Sequence, residues 1–230
     1  MKLVVFGANG PTGRLLTRMA AGRGHTVTAV TRKPDDFPAW DGVRVAGGDV
    51  LDISAVREVV AGHDAVVSTL GLPYTKEPVT LYSQGMANIL EAMTGHDVRR
   101  LVCVTSIGVS GESAPDESLV WRKVIAPVLL AMGRTIYEDM RRMEELVRAS
   151  VADWTVVRPA GLFDADAVSA YQVAEKGFSG RFTSRADLAD ALLREAVEDL
   201  NVGRCVDVIT TEGTPGYVGL FVREALHIGK

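Results

Sequence analysis

Leu3-Val4-Val5-Phe6-Gly7-Ala8-Asn9-Gly10-Pro11-Thr12-Gly13-Arg14 is the stretch on which the reading of this chain turns. A short apolar run ends in three glycines spaced G-x-x-G-x-x-G, and a helix-forming segment, Leu15 to Ala21, follows directly. A strand that turns this tightly into a helix presents the first N–H groups of the helix, whose unpaired donors and partial positive charge favour an anion. Gly7 permits the turn, Gly10 lets the backbone approach a phosphate, and Gly13 lets the helix lie close to the strand. That is the arrangement a dinucleotide pyrophosphate needs. The candidate cradle is Gly7, Asn9, Gly10, Pro11, Thr12, Gly13 and Arg14.

Outward from this turn, short β-branched runs alternate with helical segments. Strands are expected over Lys2–Phe6, Thr26–Thr31, Val43–Ala46, Ala65–Thr69, Arg100–Thr105, Trp154–Arg158 and Cys205–Ile209. Helices are expected over Thr12–Arg23, Ser54–Ala61, Thr80–Thr94, Glu117–Met132, Ile136–Ser150 and Arg185–Asp199. Continuous apolar strands such as Leu101-Val102-Cys103-Val104 imply burial on both faces, as in a parallel sheet. The alternation therefore predicts an α/β, doubly wound sheet. No repeat, low-complexity tract or linker divides the 230 residues. The expectation is a single domain over 1–230, with the residues after about 110 contributing a smaller, substrate-side lobe.

Composition narrows the class. A 47% hydrophobic content with few aromatics suits a globular α/β protein, and a net charge of −4 without a basic cluster gives no nucleic-acid footprint. Cys103 and Cys205 lie in strand-like stretches without metal-ligand spacing, so they read as reduced core residues in a cytoplasmic protein. The first apolar run is too short for a signal peptide. The stretch Val124 to Met132, interrupted by Pro127, is too short to span a bilayer. His25, His63, His96 and His227 have no partner at ligand spacing, and no metal is expected.

Further pieces follow the glycine turn in order: G-D-V-L-D at 48–52, S-T-L-G at 68–71, V-T-S-I-G at 104–108, M-E-E-L-V-R-A-S at 143–150, D-W-T-V-V-R-P at 153–159 and S-R-A-D-L-A-D at 184–190. With these, the chain resembles the atypical short-chain dehydrogenase/reductases, most of all their NAD(P)H-binding branch of NmrA-like, biliverdin-reductase-B-like and flavin-reductase-like proteins. The resemblance implies a Rossmann-type doubly wound parallel sheet with a small C-terminal substrate lobe. It places Asp49 and Val50 beside the adenine, and assigns Thr69, Leu70, Gly71 and Thr105 to the cofactor. Arg158, Pro159 and Ala160 would line the nicotinamide end, with backbone amides reaching the carboxamide. Asp49 also reads as a turn or cap residue, and Arg158 as a structural ion-pair partner. Gly111 to Arg134 and the tail after Thr211 match no part of the pattern, and substrate identity is expected to be written there.

The second expected strand ends in Thr31-Arg32-Lys33, where a chain preferring NAD usually carries an acidic side chain. Arg32 and Lys33 suit a 2′-phosphate instead, so NADP, as NADPH, is the expected cofactor. The family's usual chemistry uses a Ser, a Tyr and a Lys in Y-x-x-x-K, where Tyr transfers the proton and Lys holds the ribose. Here Ser106 stands at the end of the fifth strand and reads either as the residue that hydrogen-bonds a substrate carbonyl or as an ordinary turn serine, and Tyr137 lies four residues before Arg141. Arg in place of Lys leaves two readings of Tyr137, as the proton donor or as a helix-face residue packed beside Ile136 and Met140.

The apolar positions Leu119, Val120, Trp121, Val124, Ile125, Val128, Leu129 and Met132 read as a core helix, a lid or a subunit interface. The expected protein is a cytoplasmic monomer or homodimer acting on a small molecule, with no nucleic-acid or membrane partner. By the resemblance it is an NADPH-dependent oxidoreductase. The alternatives are an NmrA-like redox sensor that holds dinucleotide without turnover, and an NAD(P)-dependent epimerase or dehydratase.

Overall fold

A computed structural model describes residues 1–110, 123, 126–175 and 180–215. Its elements run β1 (Lys2–Phe6), α1 (Pro11–Gly22), β2 (Thr26–Thr31), β3 (Val43–Gly47), α2 (Ile53–Val60), β4 (Ala65–Ser68), α3 (Leu81–Gly95), β5 (Arg100–Val104), α4 (Ala126–Met132) and α5 (Arg134–Ala149). Then follow β6 (Asp153–Pro159), β7 (Gly161–Phe163), β8 (Tyr171–Ala174), β9 (Phe182–Ser184), α6 (Arg185–Glu198) and β10 (Arg204–Thr210). Of the expected helix Glu117–Met132, residues 117–122, 124 and 125 lie outside the described residues, as do Leu119, Val120 and Trp121 of its apolar stripe. Residues 216–230 of the tail lie outside them as well.

The main sheet has the order β3-β2-β1-β4-β5-β6-β10-β8, parallel throughout except for β8, which pairs antiparallel with β10. The strand order reverses between β1 and β4, so the chain winds to one side and then the other. That is the doubly wound Rossmann topology, whose ligand crevice opens at the carboxyl ends of the strands at the switch point. A separate parallel pair, β7 and β9, forms between Pro159 and α6.

The apolar strand runs are continuous because both faces are covered. Val4 and Phe6 point with Val66, Leu101, Cys103 and Val156 toward α2, α3 and α5. Leu3 and Val5 point with Val27, Val67, Val102 and Val157 toward α1 and α6. Cys103 and Cys205 both register on Val156, one strand to either side, so their Cα atoms stand about 10 Å apart. A disulfide cannot close that gap. Burial pushes the Cys103 thiol well up from its ordinary range.

Candidate functional site

The glycine turn is built to tolerances that side chains would break. Gly7 has φ +75°, and a Cβ there would stand 2.7 Å from the Thr69 carbonyl oxygen and 2.9 Å from the Leu70 nitrogen. A Cβ on Gly13 would lie 2.3 Å from the Gly7 oxygen and 2.8 Å from the Ala8 Cα. Gly10 is looser toward the protein, 3.3 Å from the Gly7 oxygen, and its bare Cα marks the open side of the cradle. Gly10 precedes α1 in extended backbone, makes no side-chain cap, and is followed by Pro11 at the first helical position. The amides of Thr12 and Gly13 therefore have no intrahelical acceptor and are left for an anion. Thr69 holds the turn from behind: its hydroxyl donates toward the Phe6 and Gly7 carbonyls at 3.0 and 3.2 Å.

Arg14 links the cradle to the loop after β2. Its Nε and Nη2 donate to Asn9 Oδ1 at 2.9 and 2.6 Å, Nη2 reaches the Asp36 carbonyl at 2.9 Å, and the guanidinium lies 6.0 Å from the Phe37 ring centroid. The bracket fixes the turn at Pro34–Asp36, directly beyond Arg32 and Lys33. Both cations are exposed, and Lys33 Nζ lies 3.9 Å from Asp36 Oδ2, also exposed. Asp49 accepts from the Leu51 amide at 3.0 Å, an Asx turn, and Val50 is buried against the space that Gly85 leaves open. Leu70 is half-buried and Gly71 exposed at the mouth.

Across the crevice, Ser106 opens a single helical turn over Ile107–Val109 and accepts from the Gly108 amide at 3.2 Å. Tyr137 lies on this turn: a Cβ on Gly108 would stand 2.9 Å from the Tyr137 ring. Gly133 clears the opposite edge, where a Cβ would meet Tyr137 at 2.6 Å and Tyr74 at 2.7 Å. The Tyr74 and Tyr137 hydroxyls are 3.3 Å apart. Tyr137 thus lies against the turn that Ser106 opens, whereas Arg141 Nε donates to the Val109 carbonyl at 3.3 Å.

A buried carboxylate braces this edge from below. Glu144 is 2% exposed and accepts from Thr105 Oγ1 at 2.8 Å, Arg158 Nε and Nη2 at 2.9 and 2.5 Å, and Arg148 Nη2 at 2.9 Å. Burial alone would pull the Arg158 guanidinium down; its hydrogen bonds and charge contact with Glu144 more than offset this and hold it raised. Of the two readings of Arg158, its side chain takes the ion pair. The Ala160 amide donates to Thr183 Oγ1 at 2.9 Å, and the Gly161 amide to the Arg181 carbonyl at 3.0 Å. Both amides after Pro159 are thus engaged by the β7–β9 insertion.

Residues beyond the motifs complete the frame. Asp139, fully buried on α5, accepts from the Tyr82 and Ser83 amides at 2.8 and 3.3 Å and so caps α3 from across the interface. Thr135 Oγ1 donates to the Thr75 carbonyl at 3.0 Å, and Arg142 Nη2 to the Val79 carbonyl at 2.9 Å. One face of α5 thereby holds the β4–α3 loop at Thr75 and Val79. Burial raises the Tyr82 phenol from its ordinary range, and its oxygen accepts from the Leu72 amide at 3.1 Å. Among the described residues no cluster of His, Cys, Asp and Glu has the form of a metal site, and no helix is long and apolar enough to cross a membrane.

Strand order, glycine cradle and crevice together define a Rossmann-type nucleotide-binding protein. Residues 7–199 match the NAD(P)H-binding family, and the chain belongs to it. The chain is 29% identical over 205 residues to the uncharacterized protein YwnB of Bacillus subtilis, covering 85% of this chain and 92% of YwnB. A short-chain dehydrogenase/reductase of Veillonella parvula, solved in complex with NADP, superposes with a TM-score of 0.76 at 17% identity, covering 94% of this chain and 99% of that one. ChuY, an anaerobilin reductase of Escherichia coli O157:H7, does so with a TM-score of 0.75 at 22% identity, covering 94% and 100%. The likeness to these two structures is one of fold. The cofactor is a nicotinamide dinucleotide, and the glycine turn with the first-turn amides of α1 left without intrahelical acceptors fits its pyrophosphate.

Proposed function

We propose that this chain is an NADPH-dependent oxidoreductase that reduces a small apolar or aromatic acceptor: a flavin, quinone, ketone or conjugated carbonyl. The observation that carries the reading is the Tyr137 phenol laid on Gly108 of the Ser106 turn, across the crevice from the glycine cradle. Bound, the dinucleotide supplies hydride. The first-turn amides of α1 with Gly7, Asn9, Gly10, Pro11 and Arg14 would hold its phosphates, and Asp49, Val50, Thr69, Leu70 and Gly71 would line the adenosine side. Thr105, Pro159 and Ala160 would border the nicotinamide, with Arg158 setting their position through Glu144. Ser106 would hydrogen-bond an acceptor oxygen, and Tyr137 would give it a proton. The reductase named among the structural neighbours supports the same class of reaction.

The test is NADPH oxidation by the purified protein across flavins, quinones and ketones. Acceleration with at least one is expected; no acceleration with any, while dinucleotide still raises the melting temperature, overturns turnover. Tyr137→Phe is expected to lower kcat by roughly 100-fold, the scale of a positioned general acid, with KM little changed. Unchanged kcat would remove Tyr137 from the chemistry.

The preference for NADPH rests on Arg32 and Lys33. Arg32→Glu is expected to weaken NADPH binding by about tenfold to 100-fold, the loss of a charge-assisted phosphate contact, and NADH binding far less. Isothermal titration with both dinucleotides reads this directly, and equal losses would refute the assignment. A second reading, a redox sensor of the NmrA type, draws on Arg141, which is held by the Val109 carbonyl where the usual chemistry has a lysine. It predicts tight, discriminating dinucleotide binding with no acceptor turned over.

A further inference from the structure

Arg141 is engaged by the turn beneath the site, yet Tyr137 keeps a polar neighbour at its hydroxyl, and that neighbour is another phenol. Tyr74 sits in the loop between β4 and α3, about half exposed, with its oxygen 3.3 Å from the Tyr137 oxygen. The pairing is built rather than incidental. Gly133 is the shared floor of both rings, since a Cβ there would strike Tyr137 at 2.6 Å and Tyr74 at 2.7 Å. Thr135, two residues before Tyr137, holds the Thr75 carbonyl and so fixes the chain next to Tyr74. The separation is at the long end for an O–H···O hydrogen bond.

We infer that Tyr74 is a positioning and proton-relay residue for Tyr137, delivering the proton that Tyr137 gives to the acceptor. The inference rests on the reductase reading above. With the hydride that a bound dinucleotide would supply added at the acceptor carbon, the carbonyl π pair would move onto oxygen, and that oxygen would take the Tyr137 proton. The Tyr137 O–H bond breaks, and the phenolate left behind accepts the Tyr74 proton. Tyr74 recovers a proton from water at its exposed edge. The acceptor would gain two electrons and a hydrogen as the hydride that the dinucleotide supplies, plus one proton drawn from solvent through Tyr74, which balances the step. Tyr74 also holds the Tyr137 oxygen in place and supports its charge by hydrogen bonding, the part that Arg141 does not take.

The experiment is a double-mutant cycle of Tyr74→Phe, Tyr137→Phe and the pair, read in two ways. Phenylalanine keeps each ring on Gly133 and removes only the oxygen. In the cofactor-free protein, urea unfolding should show each single variant with a lowered midpoint and the double variant falling no further than the larger single drop. With the ketone or conjugated carbonyl of the panel that the wild type reduces best, Tyr74→Phe should lose about tenfold in kcat at unchanged KM and unchanged NADPH affinity. In the Tyr137→Phe background it should lose nothing more. Losses that multiply, a change confined to KM, or a Tyr74→Phe enzyme as fast as wild type would overturn the inference while leaving the reductase reading standing. A wild type that reduces no acceptor would overturn both.

Discussion

Gly13→Ala is expected to cost this protein most of its dinucleotide binding and a measurable part of its stability. The added Cβ would lie 2.3 Å from the Gly7 oxygen and within 2.9 Å of two Ala8 backbone atoms, none of which a rotamer change can move. Gly7 cannot retreat, because its own Cα faces Thr69 backbone and its oxygen is held by the Thr69 hydroxyl. Helix α1 must therefore withdraw from β1 by about 1 Å to restore an ordinary contact. Its buried face of Leu16, Thr17 and Ala20 packs against α6 and would be displaced with it. Overpacking of this kind costs roughly 1–3 kcal/mol. The first-turn amides move together with the helix, and two misaligned charge-assisted hydrogen bonds correspond to a loss of about 100-fold in affinity. Urea unfolding and isothermal titration with NADPH read the two effects. Gly10→Ala and Gly22→Ala are the comparisons: the first adds a methyl on the open side, so affinity should fall with little loss of stability. The second meets nothing within 4 Å, so binding should be unchanged. Wild-type affinity in Gly13→Ala would show that the close approach of helix and strand is not what shapes the cradle.

The glycine turn is legible in sequence because its requirements are local: one positive φ and two close approaches, each of which only glycine meets. The strands of the parallel sheet are legible for a related reason. A strand covered on both faces shows a continuous apolar run, and β1, β4 and β5 each begin and end within a residue of such a run. β7, β8 and β9 have no such signature. They are three or four residues long and exist through their partners. Thr183 bridges the Ala160 amide and the Val208 carbonyl, and the Phe163 and Phe182 rings meet edge to face at 6.4 Å. Tyr74 is illegible for the same reason, since its meaning depends on a helix 60 residues further on, through Thr135 and the Thr75 carbonyl. Asp139 and Glu144 did leave a signal. On α5 the buried stripe runs Ile136, Met140, Met143 and Val147, and both carboxylates fall on that stripe. Acidic side chains at positions that face a core are costly unless partnered, so their placement announces a buried polar network before any partner is known.

Glu144→Gln tests that network. The carboxylate joins Thr105, at the end of β5, to Arg158, near the end of β6, so one side chain on α5 sets the spacing of the two turns proposed above to border the nicotinamide. Glutamine keeps the shape and one acceptor, but it removes the charge and turns an NH2 group toward a guanidinium that is only 12% exposed. Breaking a buried pair from one side costs roughly 3–5 kcal/mol, because the remaining charge stays desolvated without its partner. Arg148, about half exposed, can return to water and should contribute little. The unfolding midpoint in urea should therefore fall steeply. Arg158→Met placed on top of Glu144→Gln should recover part of the loss, since it removes the stranded charge. The same double variant should not recover turnover, because neither side chain then ties the Ser106 turn to the Pro159 turn. A Glu144→Gln midpoint within about 0.5 kcal/mol of wild type, the range of ordinary surface substitutions, would show that the brace is not energetically coupled to the fold. Full stability in the double variant with turnover also restored would separate the ion pair from the site altogether. Loss of turnover with stability regained is the outcome this geometry predicts, because the carboxylate's role here is to hold two loops in register.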